Sequence, residues 1–189
     1  MDISMFIRTR EESGLIFYLG TPPAAGSTDS FTTTTWLSYI AAELQEGQLL
    51  VVANFGDTEQ LFRVSSPRLN DGNRHLIQVI RDRLQLEVKI NGTVLFSDSL
   101  TSFRPLQAEV LYLGGLPADS AIRNRRRLRR QTLASQLATS NRLEARNFKG
   151  ILQDVQVNKL KKSLSSSQIK LKPLWSICYW LAIYLGLFI

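Results

Sequence analysis

From Arg83 to Ile90 the chain reads RLQLEVKI, and it alternates. Leu84, Leu86, Val88 and Ile90 fall on one side of an extended chain, and Arg83, Gln85, Glu87 and Lys89 on the other. Period two is the signature of a half-buried β-strand, because successive side chains point to opposite faces. Asn91-Gly92 follows at once. A type I′ turn needs positive φ at both central residues, and Asn-Gly is the dipeptide that meets this most readily. TVLFSDSL then supplies a return strand, so the spacing predicts a hairpin.

The rest of the body supplies further strand candidates. ISMFIR, GLIFYLG, TWLSYIAAEL, QLLVVANF, EQLFRVSS, HLIQVIRD, EVLYLGG and ILQDVQV are all short and rich in apolar or β-branched residues. Glu46-Gly47, Gly56-Asp57, Asp71-Gly72 and Gly114-Gly115 punctuate them as turns. No strong amphipathic helix lies between them, which argues against a parallel α/β sheet. Many short strands with turns at this spacing predict an all-β antiparallel sandwich. At 44% apolar and 21% charged residues, the 189-residue chain can support such a core as one domain with appendages.

Two segments depart from the pattern. Residues 117–147 are polar and arginine-rich, and read as a long loop inserted before the last strand. After residue 160 comes a basic, serine-rich linker, 161–173, and then an apolar tail, 174–189, with sixteen uncharged residues. That tail is slightly short of the roughly 20 residues that span a bilayer as a helix. Lysines 161, 162, 170 and 172 flank it on the N-terminal side, which by the positive-inside rule would leave the domain in the cytoplasm. A membrane anchor, a lipid-anchor signal and non-native coding sequence remain open readings of the tail.

The net charge of +7 and pI near 9.9 are local. Six arginines, Arg123, Arg125, Arg126, Arg127, Arg129 and Arg130, lie within eight residues, and without them the charge falls to +1. Such a run cannot be buried and must be solvated. It is a candidate anion-binding loop for sulfate or phosphate groups. It also holds two R-x-R-R sequences of the kind cut by furin-like convertases. It lacks interleaved aromatics for stacking on bases, which weakens a nucleic-acid reading.

The single histidine, His75, invites a catalytic reading that the sequence does not support. Ser-His chemistry needs a nucleophile and an orienting acid beside the base, and no G-x-S-x-G elbow is present. Neither His-based nor Cys-based metal sites have enough ligands, since Cys178 in the tail is the only cysteine. The residues therefore point to a non-enzymatic chain without a cofactor. Asn91-Gly92-Thr93 is the one N-glycosylation sequon. The first residues, MDISMFIRTREESG, do not have the form of a secretion signal.

SGLIFYLG, AAELQEGQLLVVANFG, LNDGNRHLIQVIR, LYLGGLP and FKGILQDVQVN occur in the order and spacing of a laminin G-like domain, over roughly residues 3–160. The wording of ISMFIRTREESGLI, LNDGNRHLI and FKGILQDVQVN most resembles the Crumbs family of cell-surface proteins. This resemblance implies a jelly-roll (concanavalin-like) sandwich and an extracellular recognition or adhesion module that binds proteins or sulfated or acidic glycans. It implies an N-terminally truncated copy, because family members carry one or two strands before ISMFIRT and lie among EGF-like modules. It also implies a Ca²⁺ site at one rim in many members, with a carboxylate where this chain has Ser38. A neutral hydroxyl adds no charge for a hard cation. Asp29, Asp57 and Asp119 are the acidic residues that could approach from nearby loops, a weak ligand set that argues against tight Ca²⁺ binding. Two more positions depart from the family: Ile151 stands where a disulfide cysteine is usual, and Arg74 where a tryptophan precedes the histidine.

Overall fold

A computed structural model describes residues 1–22, 38–56, 58–102, 104–118, 120 and 143–158. It contains ten strands: β1 (Asp2–Arg8), β2 (Gly14–Gly20), β3 (Ser38–Gln45), β4 (Gln48–Phe55), β5 (Glu59–Arg63), β6 (His75–Asp82), β7 (Gln85–Ile90), β8 (Thr93–Ser99), β9 (Val110–Leu113) and β10 (Ile151–Asn158). They form two five-stranded sheets, ordered β10-β1-β6-β7-β8 and β5-β4-β3-β2-β9, and every pairing between them is antiparallel. The expected all-β sandwich is the architecture observed.

The hairpin β7–β8 turns at Asn91 and Gly92, with φ of 53° and 83°. Leu86, Val88 and Ile90 point inward as their spacing requires. Leu84 packs against the same core but is only partly buried, and it is not part of the strand. Arg83 and Leu84 form a second two-residue turn, joining Asp82 to Gln85, and Arg83 takes φ 54°. Neighbouring side chains and backbone hold that turn. Arg81 Nε donates to the Arg83 carbonyl at 3.0 Å, and the Leu100 N–H donates to the Leu84 carbonyl at 2.6 Å.

The main core lies between the sheets. Ile3, Met5 and Ile7 of β1, Ile77 and Val79 of β6, and Leu86, Val88 and Ile90 of β7 face Phe17, Leu19, Ile40, Ala42, Leu44, Leu49, Val51 and Phe55 of the other sheet. Burying a side chain of this size stabilises the fold by about 1.5–3 kcal/mol. A one-residue bulge between Leu15 and Phe17 places Ile16 and Phe17 both on this side.

The second sheet is covered on its outer face as well. There Leu15, Tyr18, Tyr39, Ala41, Leu50, Val52 and Val110 pack under Leu116, Leu143 and Ala145. Every residue of β2 and β3 is consequently buried. The two ends of the segment 117–147 are thus not simply surface loop. Ser120, Leu143 and Ala145 are buried, and Asn147 bridges to Leu15.

Sheet edges are blunted. β5 and β9 are short, and β8 and β10 each carry a register shift; within β10, Asp154 has φ 51°. Bulges and short edges discourage strand-to-strand association with other chains. Gly20 ends β2 where the backbone of Ser38 and Tyr39 comes so close that a Cβ would collide with it.

Candidate functional site

The cluster around His75 is the place where the sequence could have hidden chemistry. His75 opens β6 and is buried. Asn91, at the β7–β8 turn, accepts a 2.9 Å hydrogen bond from the Leu76 N–H through Oδ1 and donates its own N–H to the Leu76 carbonyl. That orientation turns Asn91 Nδ2 toward His75 Nδ1, 3.3 Å away. Because an amide NH₂ only donates, Nδ1 is the acceptor and the imidazole proton sits on Nε2. Nε2 then donates to Asp71 Oδ1 at 2.9 Å. Asp71 also accepts from the Asn73 backbone N–H and side-chain amide, and these bonds, led by that from His75, pull its carboxyl down to about 2. Gly72 is tied in turn to β1: its N–H donates to the Thr9 carbonyl, and its own carbonyl accepts from Arg8 Nε.

Both ring nitrogens of His75 are thus committed to two turns. Among the described residues, no hydroxyl or thiol bonds to either. The cluster is a clasp joining the Asp71-Gly72 turn to the Asn91-Gly92 turn. Among the described residues, no group of three or more His, Cys, Asp or Glu side chains is placed to hold a metal ion.

Arg74 lies beside the clasp. Its guanidinium sits 3.7 Å from the centre of the Phe6 ring and pairs with Asp154 at 2.5 Å. Stacked this way, its flat face shields an outward-pointing aromatic ring of β1.

Ser38, at the start of β3, is buried and committed too. Its hydroxyl accepts from the Gln107 N–H at 3.2 Å, its own N–H donates to Thr21 Oγ1, and its carbonyl accepts from the Thr21 N–H. Asp29, Asp57 and Asp119 lie outside the described residues, as do Arg123, Arg125, Arg126, Arg127, Arg129 and Arg130 and the tail 174–189. Among the described residues no helix is long and apolar enough to cross a membrane.

One buried charge escaped the sequence reading. Glu43 of β3 is fully buried, and its carboxylate accepts from the backbone N–H groups of Glu144 (2.9 and 3.1 Å) and Ala145 (3.0 Å) and from Gln45 Nε2 (2.6 Å). Burial pushes its carboxyl up to about 7, against the pull of those three donors. Gln45 is itself held by Arg63 at 3.3 Å, and Glu144 by Arg146 at 2.7 Å. Glu43 therefore pins residues 143–147, the strap leading into β10, across the outer face of the second sheet. Nothing local in the sequence marks this role, since Glu144 lies 101 residues further on.

Comparison with known proteins bears on the same frame. A family profile described as "Laminin G domain" matches residues 7–160. Human neurexin-2 is 31% identical over 122 residues, covering 64% of this chain and 7% of the neurexin. Neurexin-3a of Danio rerio is 26% identical over 117 residues, with 61% and 7% covered. The chain thus spans only a small part of the length of these relatives. The solved mouse laminin alpha1 chain, domains LG4-5, superposes with a TM-score of 0.56 over 83% of this chain and 35% of that one, at 20% identity. At that identity the likeness concerns the fold.

Proposed function

The chain belongs to the laminin G domain family, and from that premise we propose that it is a non-catalytic extracellular recognition module. Laminin G domains are adhesion and recognition modules, and the ligands of this one are read as proteins or sulfated or acidic glycans. The observation that carries the reading is the family pattern across residues 7–160, on a sandwich whose one histidine is committed to joining two turns. The finer likeness to Crumbs proteins rests on sequence wording alone, and the relatives named above are neurexins.

Four finer assignments go with it. Arg123, Arg125, Arg126, Arg127, Arg129 and Arg130 are the anion-binding residues and the convertase sequences. Asn91 is the glycosylation site. Ca²⁺ binding is no tighter than millimolar, because Ser38 brings no charge and its hydroxyl is already bonded to Gln107. The tail associates the module with a membrane.

The test is to secrete the full chain behind a grafted signal peptide. Retention on heparin should fall in a variant with the six arginines replaced by glutamine, and calorimetry should show no micromolar Ca²⁺ site. The arginine run also favours a second reading, a nucleic-acid-binding protein. Equal retention of both forms on heparin, with steep salt-dependent DNA binding lost in the glutamine variant, would replace the first reading with the second.

A further inference from the structure

Asn91-Gly92 raises a chemical question separate from turn geometry and glycosylation. Asparagine followed by glycine is prone to lose ammonia, because no side chain shields the following backbone nitrogen. Gly92 N attacks Asn91 Cγ, the new N–Cγ bond closes a five-membered imide, and the Cγ–Nδ2 bond breaks. Nδ2 leaves as ammonia, taking up the proton released by Gly92 N. Water then opens the imide at either carbonyl, giving aspartate or, with the main chain rerouted through the side chain, isoaspartate. No catalyst or cofactor is needed.

The turn is exposed, and no atom of the described residues stands within 4 Å of where a Gly92 Cβ would be, so among them nothing shields Gly92. Ring closure requires the Asn91 carboxamide to swing onto Gly92 N. In the structure it faces the other way, with Oδ1 held by the Leu76 N–H and Nδ2 directed at His75 Nδ1. His75 is in turn fixed by Asp71. Swinging over would break both side-chain bonds of Asn91.

We infer that Asn91 is a latent deamidation site kept closed by the clasp, with His75 as the positioning residue that guards it. The products would not fit. Aspartate at position 91 replaces the amide that donates to His75 Nδ1 with a carboxylate that only accepts, so that bond as it stands is lost. Isoaspartate lengthens the main chain inside a two-residue turn and breaks the match between β7 and β8. The modification is therefore an irreversible unlocking of this rim, and its rate reports how often the clasp opens. A glycan would occupy the same nitrogen, so the inference applies to chains without one.

The test uses the full chain made in bacteria, which leaves Asn91 unglycosylated. The native chain, the urea-unfolded chain and His75→Phe are aged in mildly alkaline buffer, and the peptide carrying residue 91 is scored by mass spectrometry for aspartate and isoaspartate. His75→Phe keeps an aromatic ring and removes both ring nitrogens. The native chain should deamidate about thirtyfold more slowly than the unfolded one, the factor for two net hydrogen bonds. His75→Phe should be about fivefold faster than the native chain, the factor for one. Amide exchange at Leu76 gives a second measure: its opening should track the deamidation rate, including in a His75→Phe chain that folds poorly. Native and unfolded chains ageing at the same rate would overturn the inference. So would a folded His75→Phe chain as slow as the native one.

Discussion

Glu43 allows the sharpest test of how this sandwich is held together. Its carboxyl sits at about 7 in the fold, against an ordinary 4.5. A raised carboxyl binds its proton more tightly in the folded state than in the unfolded one. Its contribution to stability is therefore fully present below about pH 4.5 and is lost as pH rises through about 7. A shift of this size corresponds to about 3 kcal/mol at 1.36 kcal/mol per unit. Desolvation of the charge is the larger cause, and the donors from Glu144, Ala145 and Gln45 offset part of it. Glu43→Gln removes the titration and keeps the shape. It also gives up an acceptor oxygen among three donors, at a cost of about 1–3 kcal/mol for the group left unmatched. Urea melts of both forms from about pH 4 to about pH 8 should show the wild type losing about 3 kcal/mol relative to Glu43→Gln across that range. Other carboxylates titrate in both forms and cancel in the difference. A difference between the two forms that does not change with pH would refute the argument, because it would mean that the three donors compensate the buried charge completely.

Three other outcomes are expected. Asp71 titrates the opposite way: its carboxyl is lowered to about 2, so its contribution is present above about 3.8 and lost as pH falls toward about 2; Asp71→Asn should show a shallower acid-unfolding limb by circular dichroism. Ile40→Ala empties a fully buried position between the sheets and should cost about 2–5 kcal/mol in a urea melt; a loss under about 1 kcal/mol would place Ile40 outside the core. Gly92→Ala meets open space and should cost only about 1–2 kcal/mol for its φ of 83°, whereas Gly20→Ala drives a Cβ into the backbone of Ser38 and Tyr39 and should leave little soluble folded chain on expression.

What could be read from the chain in advance follows from the range of each interaction. Leu86, Val88 and Ile90 announce their strand because alternation is local, and Asn91-Gly92 announces its turn because the backbone there needs residues that tolerate positive φ. Arg83-Leu84 is an equally tight turn without that vocabulary, held by Arg81 and Leu100, so it reads as strand until the fold is known. β3 hides a second core for a related reason. Covered on both faces, Tyr39-Ile40-Ala41-Ala42 has no alternation to read, and the cover arrives from Leu143 and Ala145, about a hundred residues later. His75 could be recognised as partnerless for catalysis from composition alone, but its role as a clasp depends on Asn91, which only the β6–β7–β8 arrangement brings to it. Glu43 gave no local sign at all.

The first and last strands of the sandwich lie side by side, with Asp2 opposite Asn158 and Arg8 opposite Ile151. Chain entering at β1 and chain leaving from β10 therefore pass through the same point. Tension applied through both would load the terminal pair first and part the β1–β10 ladder one hydrogen-bonded pair at a time, since among the described residues β10 has no second neighbour to share the load. Strands sheared along their length would have to break all their bonds at once. In mechanical terms β10 is a zipper, and the tether that resists its opening is the strap pinned by Glu43.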